Sequence, residues 1–375
     1  MSEISYVVVF PNDFSKNKIP HLINNIKKIL KVKDQKFNFV KRDGDVILVD
    51  ANDPVFSSSA INLLFGIKRV AIARQIKNDF DEIVSEISAI GGNLLLKGER
   101  FLVKVEGESK GFFTKDVELA ATSSIIEKKS NIDAKPGTEE DYDKLLYTYL
   151  TKNNAYVCIF SDRGLGGIPI AEKNQNTICA IYDEISAVSC FETIKQGFNS
   201  KIIICYKQKS ELMSLVKILN QIIPRLVKRE IEIEFFHVKP SGSGIKSYLS
   251  FVNNITEILI NVSKENKINH VTVAVSPLMF SLDFIDKTIR RVFENNLIPI
   301  LPITGTDENL FEDAKEIGLE KSISKMQKLI SLNSSQVADF SSKVVNESLK
   351  SKKIISVKVG PNNVHDILDS LDENH

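Results

Sequence analysis

The part of the chain that decides the fold begins with two short apolar runs, Thr177-Ile-Cys-Ala-Ile-Tyr182 and Lys201-Ile-Ile-Ile-Cys-Tyr206. Both have the length and composition of buried strands. Similar runs lie near residues 231–236, 270–275 and 298–302, and they alternate with helical patterns near 185–197, 209–221, 245–264, 281–295 and 307–318. This alternation predicts a doubly wound parallel sheet with right-handed crossovers. Ligands of such sheets bind at the carboxyl ends of the strands.

The N-terminal segment has a different rhythm. Strands are predicted at 4–10, 37–41 and 45–49, with helices at 19–31 and 57–64. The order β-α-β-β-α is a ferredoxin-like pattern. Asp43-Gly44 separates the second and third strands and predicts a type I′ hairpin.

Residues 70–160 predict a second α+β unit. Its strands are expected at 70–74, 101–105, 145–150 and 155–160, and its helices at 79–91 and 115–127. Gly91-Gly92 is expected to end the first of these helices, and Thr114 to cap the start of the second. Beyond residue 325 we expect a helix near 334–350, a strand at 353–359 and a short helix at 363–371.

Composition excludes several classes of protein. The chain has 375 residues, of which 43% are hydrophobic and 26% charged, and its net charge is +1. These values are ordinary for a folded globular protein and exclude a polycation. No apolar run approaches the roughly 18 residues that span a bilayer. With no visible signal peptide, a cytoplasmic protein without a membrane partner is expected.

The cysteines and histidines predict no metal site. Cys158, Cys179, Cys190 and Cys205 lie in or beside apolar runs without C-x-x-C spacing, and the histidines form no H-x-x-x-H pair. Buried thiols are therefore expected. His237 is expected to be structural. The segment Ser241-Gly-Ser-Gly244 follows the third strand of the parallel sheet and reads either as a connecting loop or as an anion site.

Four local strings stand out along these units: Phe65-Gly-Ile-Lys-Arg-Val70, Phe101-Leu-Val-Lys-Val105 with Lys110-Gly-Phe-Phe-Thr-Lys-Asp-Val-Glu118, Gly164-Leu-Gly-Gly-Ile-Pro-Ile170 and, more weakly, Pro302-Ile-Thr-Gly-Thr-Asp-Glu308 with Ala314-Lys-Glu-Ile-Gly318. These strings and the order of the units resemble the tRNA 4-thiouridine synthetase (tRNA sulfurtransferase) family. The resemblance covers about residues 1–323.

The resemblance implies three domains and an extension. They are a ferredoxin-like domain at 1–72, a THUMP domain at 73–172, a PP-loop (ATP-pyrophosphatase-like) domain at 173–325 and a C-terminal extension at 326–375. The implied fold class is α/β and α+β. The implied activity of the family is ATP-dependent sulfur transfer to tRNA.

One segment departs from the family pattern. The family's nucleotide loop, Ser-Gly-Gly-x-Asp-Ser, aligns with a segment in which only the last serine survives: Ile181, Tyr182, Asp183, Glu184, Ile185 and Ser186. Such loops bind pyrophosphate with backbone N–H groups, and their glycines permit close approach. Two carboxylates and a tyrosine would oppose a polyanion, since a like-charge contact near a protein surface costs about 4 kcal/mol. The acids could instead simply cap the helix that follows.

Other catalytic parts of the family pattern are also missing. The family's Gly-Glu/Asp-Ser-x-Gly-Gln-type loop aligns with Ser276-Pro-Leu-Met-Phe-Ser281, and no cysteine follows Cys205. A persulfide carrier needs a thiolate. No cofactor is therefore expected; ATP and Mg²⁺ would be required only if the chain were an active enzyme.

The family's RNA-facing half keeps its basic residues. The resemblance implies that the acceptor end of tRNA is held near this set: Lys97, Arg100, Lys104, Lys110, Phe112, Lys115, Gly164, Gly166 and Gly167. Clustered lysines and arginines bind phosphates, and Phe112 or Phe113 could stack on unpaired bases. The alternatives are a solvated face over core phenylalanines and, for the glycines, an interdomain hinge.

The sequence thus predicts a tRNA-binding protein without adenylating activity, acting in tRNA modification. A scaffold for another tRNA-modifying enzyme, a homodimer, an active divergent sulfurtransferase and a purely structural protein all remain open at this stage.

Overall fold

The computed structural model describes residues 5–128, 133–171, 175–239, 242–277, 279–303, 308–322, 339–359 and 364–373. Contacts divide the chain into two units, Met1–Gly167 and Ile168–His375. No helix in the described segments is both long and apolar enough to cross a membrane. Both units are mixed α/β structures, which confirms the predicted fold class. The domain boundaries at residues 72, 172 and 325 stay predictions.

Unit 1 is built on one eight-stranded sheet with the strand order β2-β3-β1-β4-β8-β7-β5-β6. Its strands are β1 (Ser5–Pro11), β2 (Phe37–Asp43), β3 (Val46–Ala51), β4 (Ile67–Lys77), β5 (Arg100–Gly107), β6 (Lys135–Pro136), β7 (Lys144–Leu150) and β8 (Asn154–Gly166). Its helices are a 3-10 helix (Asp13–Lys18), α1 (Ile19–Val32), α2 (Pro54–Ile61), α3 (Phe80–Leu94) and α4 (Thr114–Lys128).

Strand β4 joins the two halves of this sheet. It pairs antiparallel with β1 on one side and with β8 on the other. The segments predicted as a ferredoxin-like domain and a second α+β unit therefore share one continuous sheet, and β4 crosses the predicted boundary at residue 72.

The sheet is strongly curled. The ring of Phe10 in β1 lies 5.3 Å from that of Tyr149 and 5.7 Å from that of Tyr147, both in β7. Two strands, β4 and β8, separate β1 from β7, so a flat sheet would hold their backbones about 14 Å apart. The curl closes a small core on the concave face, made of Val8, Phe10, Val46, Leu48, Ala71, Ala73, Tyr147, Tyr156 and Cys158.

Three local predictions in unit 1 are corrected: the turn type at Asp43-Gly44, the cap at Thr114 and the helix end at Gly91-Gly92. The hairpin between β2 and β3 is present, but its loop is Gly44-Asp45 and only Gly44 of that pair has positive φ, at 59°. Glycine at the first central position is the pattern of a type II′ turn rather than type I′. Thr114 is the first residue of α4 rather than the residue before it.

Gly91 and Gly92 do not end a helix. Both lie inside α3, which continues to Leu94. A Cβ at Gly91 would stand 2.8 Å from Leu146 Cδ1 and 2.9 Å from Ile125 Cδ1, so the glycine permits close packing of the helix. A Gly-Gly pair in a sequence is compatible either with the end of a helix or with close packing inside one. In α3, Gly91 serves close packing.

Unit 2 contains the predicted parallel sheet, with the order β13-β12-β9-β10-β11-β14. Its strands are β9 (Asn176–Ile181), β10 (Asn199–Tyr206), β11 (Glu230–His237), β12 (His270–Thr272), β13 (Ile298–Ile300) and β14 (Lys353–Lys358). Its helices are α5 (Glu184–Lys195), α6 (Lys209–Ile222), a 3-10 helix (Ile223–Leu226), α7 (Gly244–Asn266), α8 (Leu282–Glu294), α9 (Glu308–Glu316), a 3-10 helix (Glu320–Ser322), α10 (Ser342–Lys350) and α11 (Val364–Glu373).

The C-terminal segment completes this sheet. Strand β14 pairs antiparallel with β11, and the other strand pairs are parallel. The order of the parallel strands reverses at β9, where β10 lies on one side and β12 on the other. The crevice for a ligand is therefore expected beyond the carboxyl ends of β9 and β12.

Candidate functional site

The basic residues predicted to bind RNA lie along β5 and beyond both of its ends. Strand β5 has eight residues and so extends about 25 Å. Lys97 and Arg100 lie at its beginning, whereas Lys110 and Lys115 lie beyond its end. Lys104 lies between these positions. Its hydrogen bond lowers the pKa of its partner Glu139, and Lys115 is close enough to lower that pKa further.

Nearby acids neutralise part of this charge, from another segment for Lys104 and Arg100 and from the same helix for Lys115. Lys104 Nζ lies 2.6 Å from Glu139 Oε1, and the hydrogen bond to that carboxylate raises the pKa of Lys104. Lys115 Nζ lies 2.7 Å from Glu118 Oε2. Arg100 pairs with Asp141.

Lys97 and Lys110 differ from the other basic residues of the set. Both are exposed, and neither has an ion pair to another residue in the described ranges. Each remains available to a phosphate group.

The two phenylalanines after Lys110 have opposite environments. Phe112 packs on the core of the β5 region, with its ring 5.7 Å from that of Phe80 in an edge-on geometry. Phe113 is 76% exposed. Phe113 is thus the ring that can stack on a base, whereas Phe112 supports the fold.

The glycine-rich segment belongs to a strand rather than to a free loop. Gly164 and Gly166 lie in β8, where Gly166 pairs with Ile67 of β4. A Cβ at Gly164 would approach the carbonyl oxygen of Ile67 to 2.3 Å. Gly166 and Gly167 have φ values of 68° and 72°, which favour glycine.

Side-chain and backbone hydrogen bonds hold the end of this segment in place. Asn12 Nδ2 donates to the Gly167 carbonyl at 2.6 Å, and the Gly66 N–H donates to the Gly166 carbonyl at 2.5 Å. A conformational role within unit 1 accounts for all three glycines.

At the carboxyl end of β9, the segment 181–186 forms a capping box. Ser186 Oγ accepts hydrogen bonds from the backbone N–H groups of Tyr182 and Asp183, each at 2.9 Å. The Asp183 carboxylate accepts the Ser186 N–H at 2.8 Å. Three of the N–H groups that a phosphate-binding loop would offer, those of Tyr182, Asp183 and Ser186, are therefore used by the protein's own side chains.

A hydrogen bond from a neighbouring helix fixes the other oxygen of Asp183. The Tyr248 hydroxyl of α7 donates to Asp183 Oδ2 at 2.9 Å. Burial raises the pKa of the Asp183 carboxyl, and the hydrogen bonds from Ser186 and Tyr248 oppose that rise. Burial also raises the pKa of the Tyr182 and Tyr248 hydroxyls.

Aromatic side chains occupy the space beside this turn. Tyr182 is buried, and its ring meets Phe251 edge-on at 5.8 Å. Tyr248 stacks on Phe280 at 6.1 Å, and Phe280 on Phe284 at 5.0 Å. The crevice between β9 and β12 is thus lined by packed rings.

The loop after β12 supplies one of these rings. The N–H groups of Met279 and Phe280 both donate to the Ser276 carbonyl at 3.0 Å, which makes a tight turn. Met279 and Phe280 are buried by this turn. A loop that in the family pattern carries polar residues here contributes apolar side chains to the core.

Sequence reasoning missed Lys207, which follows β10. Its ammonium lies 4.4 Å from the centre of the Phe251 ring and 5.6 Å from that of Tyr248, a cation–π arrangement. His237 stacks on Tyr206 at 5.4 Å and its Nε2 lies 3.0 Å from the Lys207 carbonyl, so this histidine has a structural role. No sequence pattern announces the Lys207 contact, because α7 brings both rings from a distant segment.

A second missed feature was readable from the sequence. From Phe14 to Lys33 the chain has six lysines and no acid. Three of them, Lys27, Lys28 and Lys31, are exposed on α1. The charge run would have revealed this face.

The prediction of buried thiols is confirmed. All four cysteines are buried and free. Burial raises the pKa of the Cys158 thiol to about 12. In the described part of the chain, no three His, Cys, Asp or Glu residues are grouped as metal ligands. Of Ser241–Gly244, Ser241 lies outside the described residues; Gly242 and Gly244 have positive φ.

Comparison with known proteins found relatives in sequence. No family model matches. A probable tRNA sulfurtransferase of Methanosarcina mazei is 20% identical over 178 residues, which are 47% of this chain and 44% of the relative. One of Methanosarcina acetivorans is 21% identical over 178 residues, 47% of this chain and 43% of the relative. The match thus spans less than half the length of these curated relatives.

Solved structures share the fold. A 4-thiouridine synthetase–RNA complex with bound ATP has a TM-score of 0.65 at 15% identity, over 95% of this chain and 100% of that chain. The PH1313 protein of Pyrococcus horikoshii has a TM-score of 0.61 at 16% identity, over 85% of this chain and 99% of that chain.

The fold and site define a two-unit α/β protein whose second unit is a parallel-sheet domain with a self-capped turn where a nucleotide loop would lie. The sequence relatives and the shared fold confirm the resemblance to the tRNA 4-thiouridine synthetase (tRNA sulfurtransferase) family. The THUMP assignment of residues 73–172 stays a prediction.

Proposed function

We propose that this chain binds tRNA and takes part in tRNA modification without adenylating its substrate. The capping box at residues 183–186 is the observation that supports the absence of adenylation. Ser186 Oγ and the Asp183 carboxylate accept three of the N–H groups around the start of α5, those of Tyr182, Asp183 and Ser186. A pyrophosphate placed there would have to displace both side chains and would face the Asp183 carboxylate.

The residues present therefore do not fit ATP at this edge of the sheet. Tyr182 stands where the family pattern has glycine, and it is packed against Phe251. Moving that ring would open a cavity in the core, which costs about 3–5 kcal/mol for a fully removed aromatic side chain. No step through a nucleotide or Mg²⁺ follows from this geometry.

The thiols support the same proposal. All four cysteines are buried, and burial raises the pKa of Cys158 and Cys205. Sulfur transfer through a persulfide needs an accessible thiolate. These four side chains are poor carriers of sulfur for that reason.

Support for RNA binding comes from unit 1 and from the neighbours. One of the solved structures with this fold is a synthetase in complex with RNA. Exposed cations at Lys97 and Lys110 and the exposed ring of Phe113 supply the groups that bind phosphates and bases. A partner enzyme that performs the modification is part of the proposal.

Two binding measurements on one preparation test the proposal. Fluorescence anisotropy with labelled unfractionated tRNA is expected to show saturable, salt-dependent binding. Calorimetric titration with ATP and Mg²⁺ is expected to show no binding, with or without tRNA. ATP binding at about micromolar affinity, together with tRNA-dependent release of pyrophosphate, would contradict the non-catalytic half.

The second candidate is an active, divergent ATP-dependent sulfurtransferase that makes 4-thiouridine. The name of the sequence relatives favours it. Deleting the gene and measuring 4-thiouridine in tRNA by mass spectrometry separates the two candidates. Loss of 4-thiouridine on deletion, restored by the purified chain with ATP and a sulfur donor, would favour the enzyme.

A further inference from the structure

A cleft of about 380 Å³ lies between helix α1 and the edge strand β2, and none of the residues predicted to bind RNA lines it. Its lining is Ile19, Pro20, Ile23, Asn24, Lys27 and Arg42. Ile19 is 5% exposed and belongs to the core, whereas Pro20 is exposed and Ile23 half-buried. The volume is in the range of small-molecule sites.

Aliphatic groups and cations share this lining. Ile19, Pro20 and Ile23 come from the first two turns of α1, and Lys27 lies one turn beyond Ile23 on the same face, because residues four apart are neighbours on a helix. Arg42 faces them from β2. The cleft thus has an apolar floor with a cation on the helix side and another on the strand side.

The surroundings of the cleft are basic. Helix α1 carries three lysines and no acid, and Lys31 lies one turn beyond Lys27. Lys27 is exposed and has no ion pair within the described ranges. Such a face attracts a polyanion.

The Arg42 guanidinium has only one weak ion pair among the described residues and so can bind a phosphate. Its Nε donates to the Gly44 carbonyl at 2.6 Å, which orients the guanidinium at the hairpin. The nearest acid, Asp45, lies 3.8 Å from Nη2, and both side chains are more than half exposed. A surface pair of this kind contributes about 0–1 kcal/mol, so a phosphate can compete with it.

We propose that this cleft binds one unpaired nucleotide of an RNA, with the base on Pro20 and Ile23 and a phosphate between Lys27 and Arg42. An apolar floor offers a surface to the face of a base, and that face is accessible only where the base is unstacked. Lysine and arginine at the rim match the phosphate. An uncharged peptide would use the floor but leave both cations without a partner.

The proposal rests on the proposed function, since it names a contact of the same RNA. It adds a site on α1 and β2. This site lies outside residues 97–128, the β5–α4 region, which contains the lysines and the arginine predicted to bind RNA. RNA would then contact unit 1 at two separate surfaces rather than one.

Charge-removal variants give the first test. Lys27→Ala and Arg42→Ala, each in the full chain, are compared with Lys287→Ala, which removes an exposed helical lysine from unit 2. Binding of labelled unfractionated tRNA is expected to weaken about 3- to 10-fold in each cleft variant. The slope of log affinity against log salt should fall by about 0.7 for each lost contact to a single strand. The Lys287→Ala control should leave both values unchanged.

Photocrosslinking gives a test that reports contact with the base itself. The tRNA complex is irradiated with ultraviolet light, digested with trypsin and analysed by mass spectrometry. Trypsin cuts after Lys18 and Lys27, so the floor of the cleft is contained in the peptide Ile19–Lys27. A nucleotide attached to that peptide is expected. A short RNA duplex with an unpaired 3′ extension should give the adduct, and the same duplex with blunt ends should not.

The outcomes separate this inference from the proposed function. Unchanged affinity and salt slope in Lys27→Ala and Arg42→Ala, with adducts only on peptides of the β5–α4 region, would overturn the cleft and leave tRNA binding standing. Absence of any tRNA binding by the unaltered chain would overturn both. Far-UV circular dichroism of each variant checks that a change in binding is not a loss of fold.

Discussion

A single hydroxyl, that of Ser186, organises the turn where the family pattern has a nucleotide loop. It accepts two backbone N–H groups and donates to the Asp183 carbonyl at 2.9 Å. The serine that survives from the family pattern has thus become part of a helix cap. A cap of this kind stabilises the helix and at the same time consumes the donors that would bind phosphate.

Ser186→Ala is expected to lower the free energy of unfolding of unit 2 by about 2 kcal/mol, because two buried N–H groups lose their acceptor. Chemical denaturation followed by far-UV circular dichroism measures the change. Ser214→Ala is the matched control, since Ser214 is an exposed helical serine whose hydroxyl bonds only the Glu211 carbonyl in its own helix. It should change stability by less than about 0.5 kcal/mol. Equal stability of the two variants would contradict the role assigned to Ser186.

Phe112 and Phe113 form a natural pair of test and control. Phe113→Ala is expected to weaken tRNA binding on the order of 10-fold, since stacking of one base contributes about 1–3 kcal/mol, and to leave unfolding unchanged. Phe112→Ala is expected to destabilise unit 1 by about 2 kcal/mol, because its ring packs on Phe80. Anisotropy with tRNA and thermal unfolding of both variants measure the two effects. If the Phe113 variant bound tRNA normally, RNA binding at this end of β5 would be refuted.

At the scale of elements, one carboxylate joins the first hairpin of unit 1 to its last. Asp43, at the end of β2, accepts hydrogen bonds from Asn154 Nδ2 at 2.9 Å, from Thr151 Oγ1 at 3.1 Å and from the Tyr156 hydroxyl. These donors lie at the β7–β8 turn and in β8. The curl of the sheet brings the two hairpins together, and Asp43 holds them there.

Asp43→Ala is expected to destabilise unit 1 by about 2 kcal/mol, because three donors lose a charged acceptor and Tyr156 is buried. Denaturation of the variant measures the loss. Asp45→Ala, two residues away, removes an acid that is 74% exposed and paired only at 3.8 Å. It should have an effect below about 0.5 kcal/mol. A loss of stability as large in Asp45→Ala as in Asp43→Ala would show that the three hydrogen bonds are not the cause.

At the scale of the whole molecule, the C-terminal segment is part of unit 2. Strand β14 pairs with β11 over its full length and buries Ile355 and Val357. The Ser348 hydroxyl of α10 donates to the His237 carbonyl at 2.8 Å. The described part of the segment, residues 339–359 and 364–373, thus contributes a strand and two helices to unit 2.

A chain ending at residue 338 is expected to lose the cooperative unfolding of unit 2, because β11 becomes an edge strand and apolar surface under α10 and α11 is exposed. Limited proteolysis with mass spectrometry should show rapid cleavage in unit 2 and unchanged protection of unit 1, which serves as the internal control. Protection of both units as in the full chain would contradict this expectation.

Sequence patterns predicted most of the strands and helices and their order in both units. Strand β6 was not predicted, and of the helix expected near 334–350 residues 334–338 lie outside the described residues. Periodicity located the strands and helices of the parallel sheet, although β12 and β13 end at Thr272 and Ile300, earlier than expected. The alternation of strands and helices is enough to predict a parallel sheet, since the crossovers allow few other arrangements. The loss of glycine at 182 and 183 was likewise readable, because a loop that binds phosphate depends on residue type.

Only the tertiary structure decided which charges remain free and which surfaces meet. Lys104 pairs with Glu139 and Arg100 with Asp141. These acids directly precede β7 in the chain, and β7 pairs with β5. The contact of Asp43 with Tyr156 requires the curl of an eight-stranded sheet. The sequence determined residue types, their periodicity and the order of elements, which are local properties. Distances between groups far apart in the chain depend on how the sheet twists and closes, and no local pattern records that.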